Sequence, residues 1–313
     1  MNIWAVSCLF AFTPSHFRSR NYKIFRENLK NHNVKLLTVE FNPEGIYELT
    51  KEDADILIQL SDGDIMWQKE RLLNIGIDHL PTDTDIVLIL DTDIIFSHED
   101  MIDRIVKKIN DYKVVQCYSH TMQLHPLFLM NIDKINFFKI DNTKNYFFHD
   151  VNRSSFLKEF LDPMGAHKAG EIGLAWAYRY DVIKKIKLFD HNIIGAGDNA
   201  TMCAFIRIFK PFNIIGTGNS WFKYCDLARQ YVDLKDVSYL EDTIIYSLYH
   251  GEVKDKNYVH RHEIIEKHNF DSTKQLIIKE GLPFKFDETV GDELKQEIKD
   301  YFINRKEDDP LPF

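Results

Sequence analysis

The chain has 313 residues, 44% of them hydrophobic, enough to bury a substantial core as one large α/β domain or two small ones, and the composition excludes a disordered chain. Its 48 acidic residues against 39 Lys and Arg leave a formal net charge of −9, so the surface as a whole has no counterion-release drive toward nucleic acid. Cys8, Cys117, Cys203 and Cys225 are far apart with no CxxC pair, which excludes a disulfide framework and fits free thiols in the cytoplasm.

The first apolar stretch, residues 3–12, is too short to span a bilayer and has no cationic region before it. It reads as a buried strand, and no transmembrane segment is expected. Amphipathic residues 22–31, apolar residues 34–41 and 55–60, an amphipathic helix over 68–79 and an apolar run over 85–96 follow in turn. That alternation predicts an α/β fold with a mainly parallel central sheet flanked by helices, whose ligands sit beyond the carboxyl ends of the strands. The helix over 68–79 stops before Pro81. The second half opens near residues 112–118 and passes through a polar, aromatic-rich loop at 142–155. A strand is expected at 173–178 and a helix at 198–209, and the charged segment 305–313 reads as a loose tail beyond a single domain of residues 1–304.

Five apolar residues, Ile86-Val87-Leu88-Ile89-Leu90, run into Asp91-Thr92-Asp93. On extended backbone the two carboxylates face one side and can approach one cation. Unpaired carboxylates flanked by so much apolar sequence are costly, so a metal or a basic partner is expected. The competing reading is a strand-end turn with solvated aspartates.

The stretch from Met66 through Asn74-Ile75-Gly76, then Leu80-Pro81, the strand and Asp91-Thr92-Asp93 resembles glycosyltransferases of the GT-A fold, in which an Asn-x-Gly helix precedes the strand ending in Asp-x-Asp. Gly173-Leu174-Ala175-Trp176-Ala177-Tyr178-Arg179 is similar to the glycine-led strand lining the sugar and acceptor site, and Gly195-Ala196-Gly197-Asp198-Asn199 to the loop and helix start that follow. His250-Gly251 with Lys256, Tyr258 and Arg261 is similar to a C-terminal pattern of a bacterial and viral group within family 2-like enzymes, with Lys256 where arginine is usual. Lysine keeps the charge there but loses bidentate phosphate binding.

The resemblance implies a metal-dependent transfer of a sugar from a nucleotide-sugar donor, a UDP-sugar, to a hydroxyl on a glycan, glycolipid or other acceptor. A divalent ion would stabilise the leaving diphosphate, with Asp91, Asp93 and His250 as its ligands; the nitrogen ligand favours Mn²⁺ over Mg²⁺. Thr92, Lys69, Asn74, Lys256 and Arg261 would meet the nucleotide, and Gly173, Trp176 and Asn199 the sugar and acceptor. Asp198 would be the base of an inverting reaction, or else simply the cap of its helix. Trp176 offers a flat face for a sugar or a core side chain. Arg18 and Arg20, placed in the loop after the first strand, are candidates for contact with the nucleotide or an acidic acceptor, or for ordinary surface charge. Residues 250–261 would close as a lid over the donor.

Two rivals remain. Transfer to hydroxymethylated bases of DNA would use the aromatic and basic residues of 120–153, against the net charge. A haloacid-dehalogenase-type phosphatase also begins with a strand and Asp-x-Asp, but Ile95 stands where its threonine belongs and Met202 where its last acid belongs.

Overall fold

The computed structural model describes residues 1–10, 12–13, 15–124, 148–161, 170–208, 214–258 and 260–307. A seven-stranded sheet of order β10-β6-β9-β4-β1-β2-β3 forms its centre. The members are β1 (Ile3–Phe10), β2 (Lys35–Phe41), β3 (Ile56–Leu60), β4 (Ile86–Leu90), β6 (Val114–Gln116), β9 (Ala175–Arg179) and β10 (Val237–Tyr239). Only β9 runs against its neighbours β4 and β6; every other pairing in this sheet is parallel.

Alternation along β4 shows how the sequence builds two cores. Val87 and Ile89 face one side with α2 (Lys69–Asp78), α5 (Tyr180–Ile186), α6 (Gly197–Phe205) and α7 (Ser220–Tyr231). Ile86, Leu88 and Leu90 face the other, with α1 (His16–Asn31) and α3 (Met101–Asp111). The helix α1 starts well before residue 22, because Ser15 caps it by accepting a hydrogen bond from the Arg18 N–H. Arg18 and Arg20 therefore stand in its first turns, not in a loop.

The run expected over 85–96 is two strands. β4 ends at Leu90, residues 91–93 turn, and β5 (Ile94–Phe96) enters a second sheet of order β5-β11-β7-β8, with β7 (His120–Leu124), β8 (Phe148–Ser154) and β11 (Ile244–Ser247). Thus Asp91 and Asp93 lie at the junction of two sheets rather than along one extended strand. Much of the loop expected at 142–155 falls in β8; residues 142–147 lie outside the described residues. The helix expected at 198–209 is α6, ending at Phe205.

The short α4 (Phe156–Leu161), α8 (Arg261–Lys267), α9 (Ser272–Gln275) and the hairpin of β12 (Leu276–Ile277) and β13 (Lys285–Phe286) lead to α10 (Asp292–Asn304). From α10, Leu294, Ile298, Tyr301 and Phe302 pack on Met66, Ile193 and Ile194, tying the C-terminal segment to the entrance of α2. Among the described residues, no helix is long and apolar enough to cross a membrane.

Candidate active site

A cleft of about 480 Å³ opens beyond the carboxyl ends of β1 and β4. Lys69, Asp91, Thr92, Asp93, Gly173, Asp198, Asn199, His250, Lys256 and Arg261, far apart in sequence, all line it.

Its floor is acidic. The Asp91 N–H donates to the Leu174 carbonyl at 2.8 Å, and the Leu174 N–H donates back to Asp91 Oδ2 at 3.2 Å, clamping the end of β4 to the entry of β9. Lys69 Nζ sits 2.6 Å from Asp91 Oδ1 and 3.8 Å from Asp198 Oδ2. Burial alone would depress the Lys69 pKa, but Asp91, Asp198 and Glu70 hold it well above the usual lysine range. Burial raises the Asp91 carboxyl above its ordinary value, against the pull of Lys69.

Asp198 is not the cap of α6. Ala196 holds that position in a left-handed conformation, and Asp198 lies within the first turn, its Oδ1 accepting from the Asn199 N–H at 2.7 Å. A methyl carbon placed on Gly173 would fall 3.2 Å from Asp198 Oδ2 and 3.6 Å from Asp91 Oδ2. The glycine therefore leaves a space that both carboxylates face.

Sequence reasoning missed two further acids. Buried Glu70 accepts from the Asp198 N–H at 3.1 Å, and a Cβ on Gly197 would collide with its side chain. Its pKa is pushed up to about 8 by burial and by Asp198, so this acid carries its proton at neutral pH. Glu70 directly follows Lys69 on α2, a signal that a helix-face reading passes over. Glu171, also raised by burial, pairs with Arg153 at 3.5 Å at the edge of the cleft.

On the opposite side His250 Nδ1 lies 2.9 Å from Asp93 Oδ2, and Lys256 Nζ lies 2.6 Å from His250 Nε2. Burial would raise the Asp93 carboxyl, yet His250, Lys256 and Lys69 outweigh it and hold the group below its ordinary value. Burial and Arg305 lower Lys256 to about 8. Asp93 Oδ1 is buried with no hydrogen-bond partner, the atom best placed to meet a cation. Oxygen and imidazole donors suit Mn²⁺ chemically. Asp91 and His250 are occupied by Lys69 and Lys256, so joining Asp93 around one ion requires them to exchange a lysine for it. Among the described residues the trio of ligand-type side chains with atoms within 4.8 Å of one another is His268, Glu293 and Glu297, outside the cleft, where Lys267 pairs with both glutamates.

The outer wall is basic and aromatic. Trp67 stacks on Phe302 with ring centroids 6.3 Å apart, and the Arg261 and Arg305 guanidinium carbons lie 5.6 and 5.2 Å from the Trp67 ring. Each such contact contributes about 0.5–2 kcal/mol depending on desolvation. Arg261 also donates to the Tyr301 hydroxyl at 3.2 Å and packs on Gly195, where φ is +102° and a Cβ would meet the guanidinium. Tyr301 in turn bonds the Lys256 carbonyl at 3.3 Å. Residues 250–261 thus lie on the cleft. Arg305 and Glu307, assigned by sequence to a loose tail, are also part of the lining, because Arg305 is buried beneath Tyr301 and Trp67. An unpatterned charged terminus gave no signal of this.

Two expected site residues do not line the cleft itself, although Trp176 borders a small cavity behind its floor with Asp91, Gly173 and Asp198. The Asn74 amide donates to the Leu188 carbonyl at 2.9 Å and accepts from the Leu188 N–H at 2.8 Å, while Gly76 lets α2 sit against Val6 and Leu37. The Asn-x-Gly pair is helix-to-sheet carpentry and does not reach the cleft. Trp176 is a core side chain, 4% exposed, because β9 turns it toward Tyr178 and its indole N–H donates to the Ile172 carbonyl. Of the two early arginines, Arg18 lines the cleft, while Arg20 lies over Phe17 away from it. The stretch 120–153 singled out for a DNA groove lies outside the described residues between 125 and 147.

No protein-family model matches the chain, and no curated protein matches it. Solved structures do. Glucosyl-3-phosphoglycerate synthase from Mycobacterium tuberculosis, in complex with Mn²⁺, UDP and phosphoglyceric acid, is 10% identical over 76% of this chain and 68% of its own, with a TM-score of 0.37. The catalytic domain of Drosophila β1,4-galactosyltransferase 7 complexed with xylobiose is 10% identical over 92% of this chain and 93% of its own, at 0.37. The 4-diphosphocytidyl-2C-methyl-D-erythritol synthase from Anaerococcus prevotii is 12% identical over 80% and 91%, also at 0.37. Likeness this distant assigns no activity and no residue role to the cleft.

Proposed function

We propose that the protein is a metal-dependent glycosyltransferase that moves a sugar from a UDP-sugar to a hydroxyl acceptor with inversion at the anomeric carbon. The observation that carries the reading is the space at Gly173, faced by Asp198 and Asp91 together in a cleft that Lys256, Arg261 and Arg305 also line.

Asp93, Asp91 and His250 would hold Mn²⁺, or Mg²⁺ in its absence, and the ion would supply charge stabilisation to the departing diphosphate. Lys256 and Arg261 bind phosphate oxygens, Thr92 stands between the two aspartates, and Trp67 offers a face to the nucleotide. Asp198 accepts the proton of the acceptor hydroxyl as its oxygen attacks, with Asn199 beside that acceptor. Lys69 stays charged and, once released from Asp91, remains within reach of Asp198. The acceptor would be a glycan, a glycolipid or another hydroxyl-bearing molecule.

The test is a panel of UDP-sugars with and without acceptor, following UDP release and the anomeric configuration of the product. Turnover should need Mn²⁺, stop in EDTA and return with added metal. Full turnover by demetallated protein overturns the reading, and a retained anomeric configuration removes Asp198 as the base. Phosphate release from phosphomonoesters without any UDP-sugar would instead restore the phosphatase rival.

A further inference from the structure

The last described residues carry a carboxylate into the basic wall. Glu307 Oε1 lies 2.8 Å from Arg305 Nη2 and accepts from Arg305 Nε at 2.9 Å, and Glu307 Oε2 is 3.9 Å from Arg18 Nη1. Arg18 is anchored from the other side, its Nη2 donating to the Thr13 carbonyl and to Glu48, both at 2.6 Å. Arg18, His250, Lys256, Arg305 and Glu307 all line the same cleft. Burial would raise the Glu307 carboxyl, but Arg305 and His250 hold it below the usual range, so it is ionised.

The backbone of this strap rests on the His250-Gly251 corner. Gly251 has φ of +96°, and a Cβ there would stand 3.0 Å from the Lys306 carbonyl oxygen and 3.2 Å from Glu307 Cα. The glycine is thus needed for the strap to lie down, not only for its own left-handed turn. Two arginines, Arg18 on α1, which also pairs with Glu48, and Arg305 at the exit of α10, both lie within 4 Å of the Glu307 carboxylate.

We propose that Arg18 and Arg305 form an anion subsite for the terminal phosphate group of a diphosphate ligand, and that Glu307 fills this subsite in the resting chain and leaves it when the ligand binds. A guanidinium fork takes a carboxylate or a phosphate in the same geometry, so the two compete for it. A tethered competitor lowers the apparent affinity by the fraction of molecules in which the subsite is open. The proposal rests on the donor reading above for the identity of the ligand, but the subsite itself needs only a diphosphate.

Glu307→Gln keeps shape and hydrogen bonding and removes the charge. By calorimetry it should tighten binding of UDP with Mn²⁺, and of pyrophosphate in metal-free buffer, about 3–10-fold, leaving uridine unchanged. Arg305→Lys keeps a cation under Tyr301 but loses the fork, and should weaken both phosphate ligands, with a thermal melt confirming the fold. Unchanged or weaker UDP and pyrophosphate binding by Glu307→Gln overturns the subsite while leaving the donor reading intact, since Glu307 then merely orients Arg305. Tightened pyrophosphate binding with no UDP binding keeps the subsite and removes the nucleotide. Failure of both ligands to bind any of the proteins overturns the subsite as well.

Discussion

The floor and the outer wall of the cleft differ in charge and in construction. The floor gathers Asp91, Asp198 and Glu70 around Lys69, with Asp93 facing His250 beside them, on strand ends and helix starts. The wall gathers Arg261, Arg305 and Lys256 on Trp67, Tyr301 and Phe302, from the C-terminal segment that follows β11 and ends in α10. An acidic floor is fitted to a cation and to proton removal, a basic and aromatic wall to holding an anionic ligand. The difference teaches that chemistry and affinity are separable here, and substitutions should split them.

The largest effect belongs to the floor. Asp198→Asn should lower the transfer rate by roughly 10²–10⁴-fold while UDP affinity stays within about twofold, since the side chain takes a proton but need not touch the nucleotide. The rate constant and the UDP dissociation constant, measured on the same preparation, check it. A comparable loss in both would erase the division between floor and wall.

Next comes Asp93→Asn. Its buried Oδ1 has no protein partner, so the change should weaken Mn²⁺-dependent UDP binding by roughly 10–100-fold and leave the weaker metal-free binding, which the wall provides, nearly as it was. Titration with and without EDTA reads both components. Equal weakening in EDTA would mean that Asp93 serves the wall through His250 and not a metal.

A smaller effect tests the floor's internal electrostatics. Glu70 has its pKa raised from 4.5 to about 8, so the folded state holds its proton more tightly than the unfolded chain. The corresponding stabilisation is complete below about pH 4.5 and is lost as pH rises through 8. Glu70→Gln, which cannot ionise, should therefore be more stable than the parent at pH 9 by on the order of 1–3 kcal/mol and gain nothing at pH 4. Denaturant midpoints across that range decide it, and parallel curves for the two proteins would show Glu70 to be ionised throughout.

The smallest effect on activity is expected at Trp176. Trp176→Phe should cost about 1–3 kcal/mol of stability and leave the acceptor KM unchanged, because the ring lies in the core. A raised KM without loss of stability would return it to the acceptor site.

Much of the floor was legible because it depends on local pattern. A fully apolar strand running into Asp91-Thr92-Asp93 and a glycine-led start before Asp198 announce strand and helix ends. Even so, the separate strand beyond that turn was hidden, since Leu90 and Ile94 continue the apolar run on both sides and the pairing of β5 with β11 reveals the change of sheet. The wall was half legible. His250, Lys256 and Arg261 follow one another closely, but Arg305, Glu307 and Trp67 reach them by tertiary packing of an otherwise ordinary amphipathic helix. Asn74 and Trp176 were expected in the cleft and stand behind it for a related reason: a sequence records that a polar or aromatic side chain exists, while the direction of its strand or helix face decides whether it meets solvent, core or backbone.

The turn at 91–93 carries a last consequence. Asp91 is clamped to the entry of β9, whereas the Asp93 carbonyl accepts the Leu248 N–H just past β11 at 2.7 Å. The spacing of the two carboxylates is therefore a gauge of how the two sheets sit on each other. Any opening that frees the smaller sheet alone, as a separate cooperative unit, would abolish ligand binding while the larger sheet kept its amide protection. Binding competence should accordingly vanish at a lower denaturant concentration than the bulk of the secondary structure.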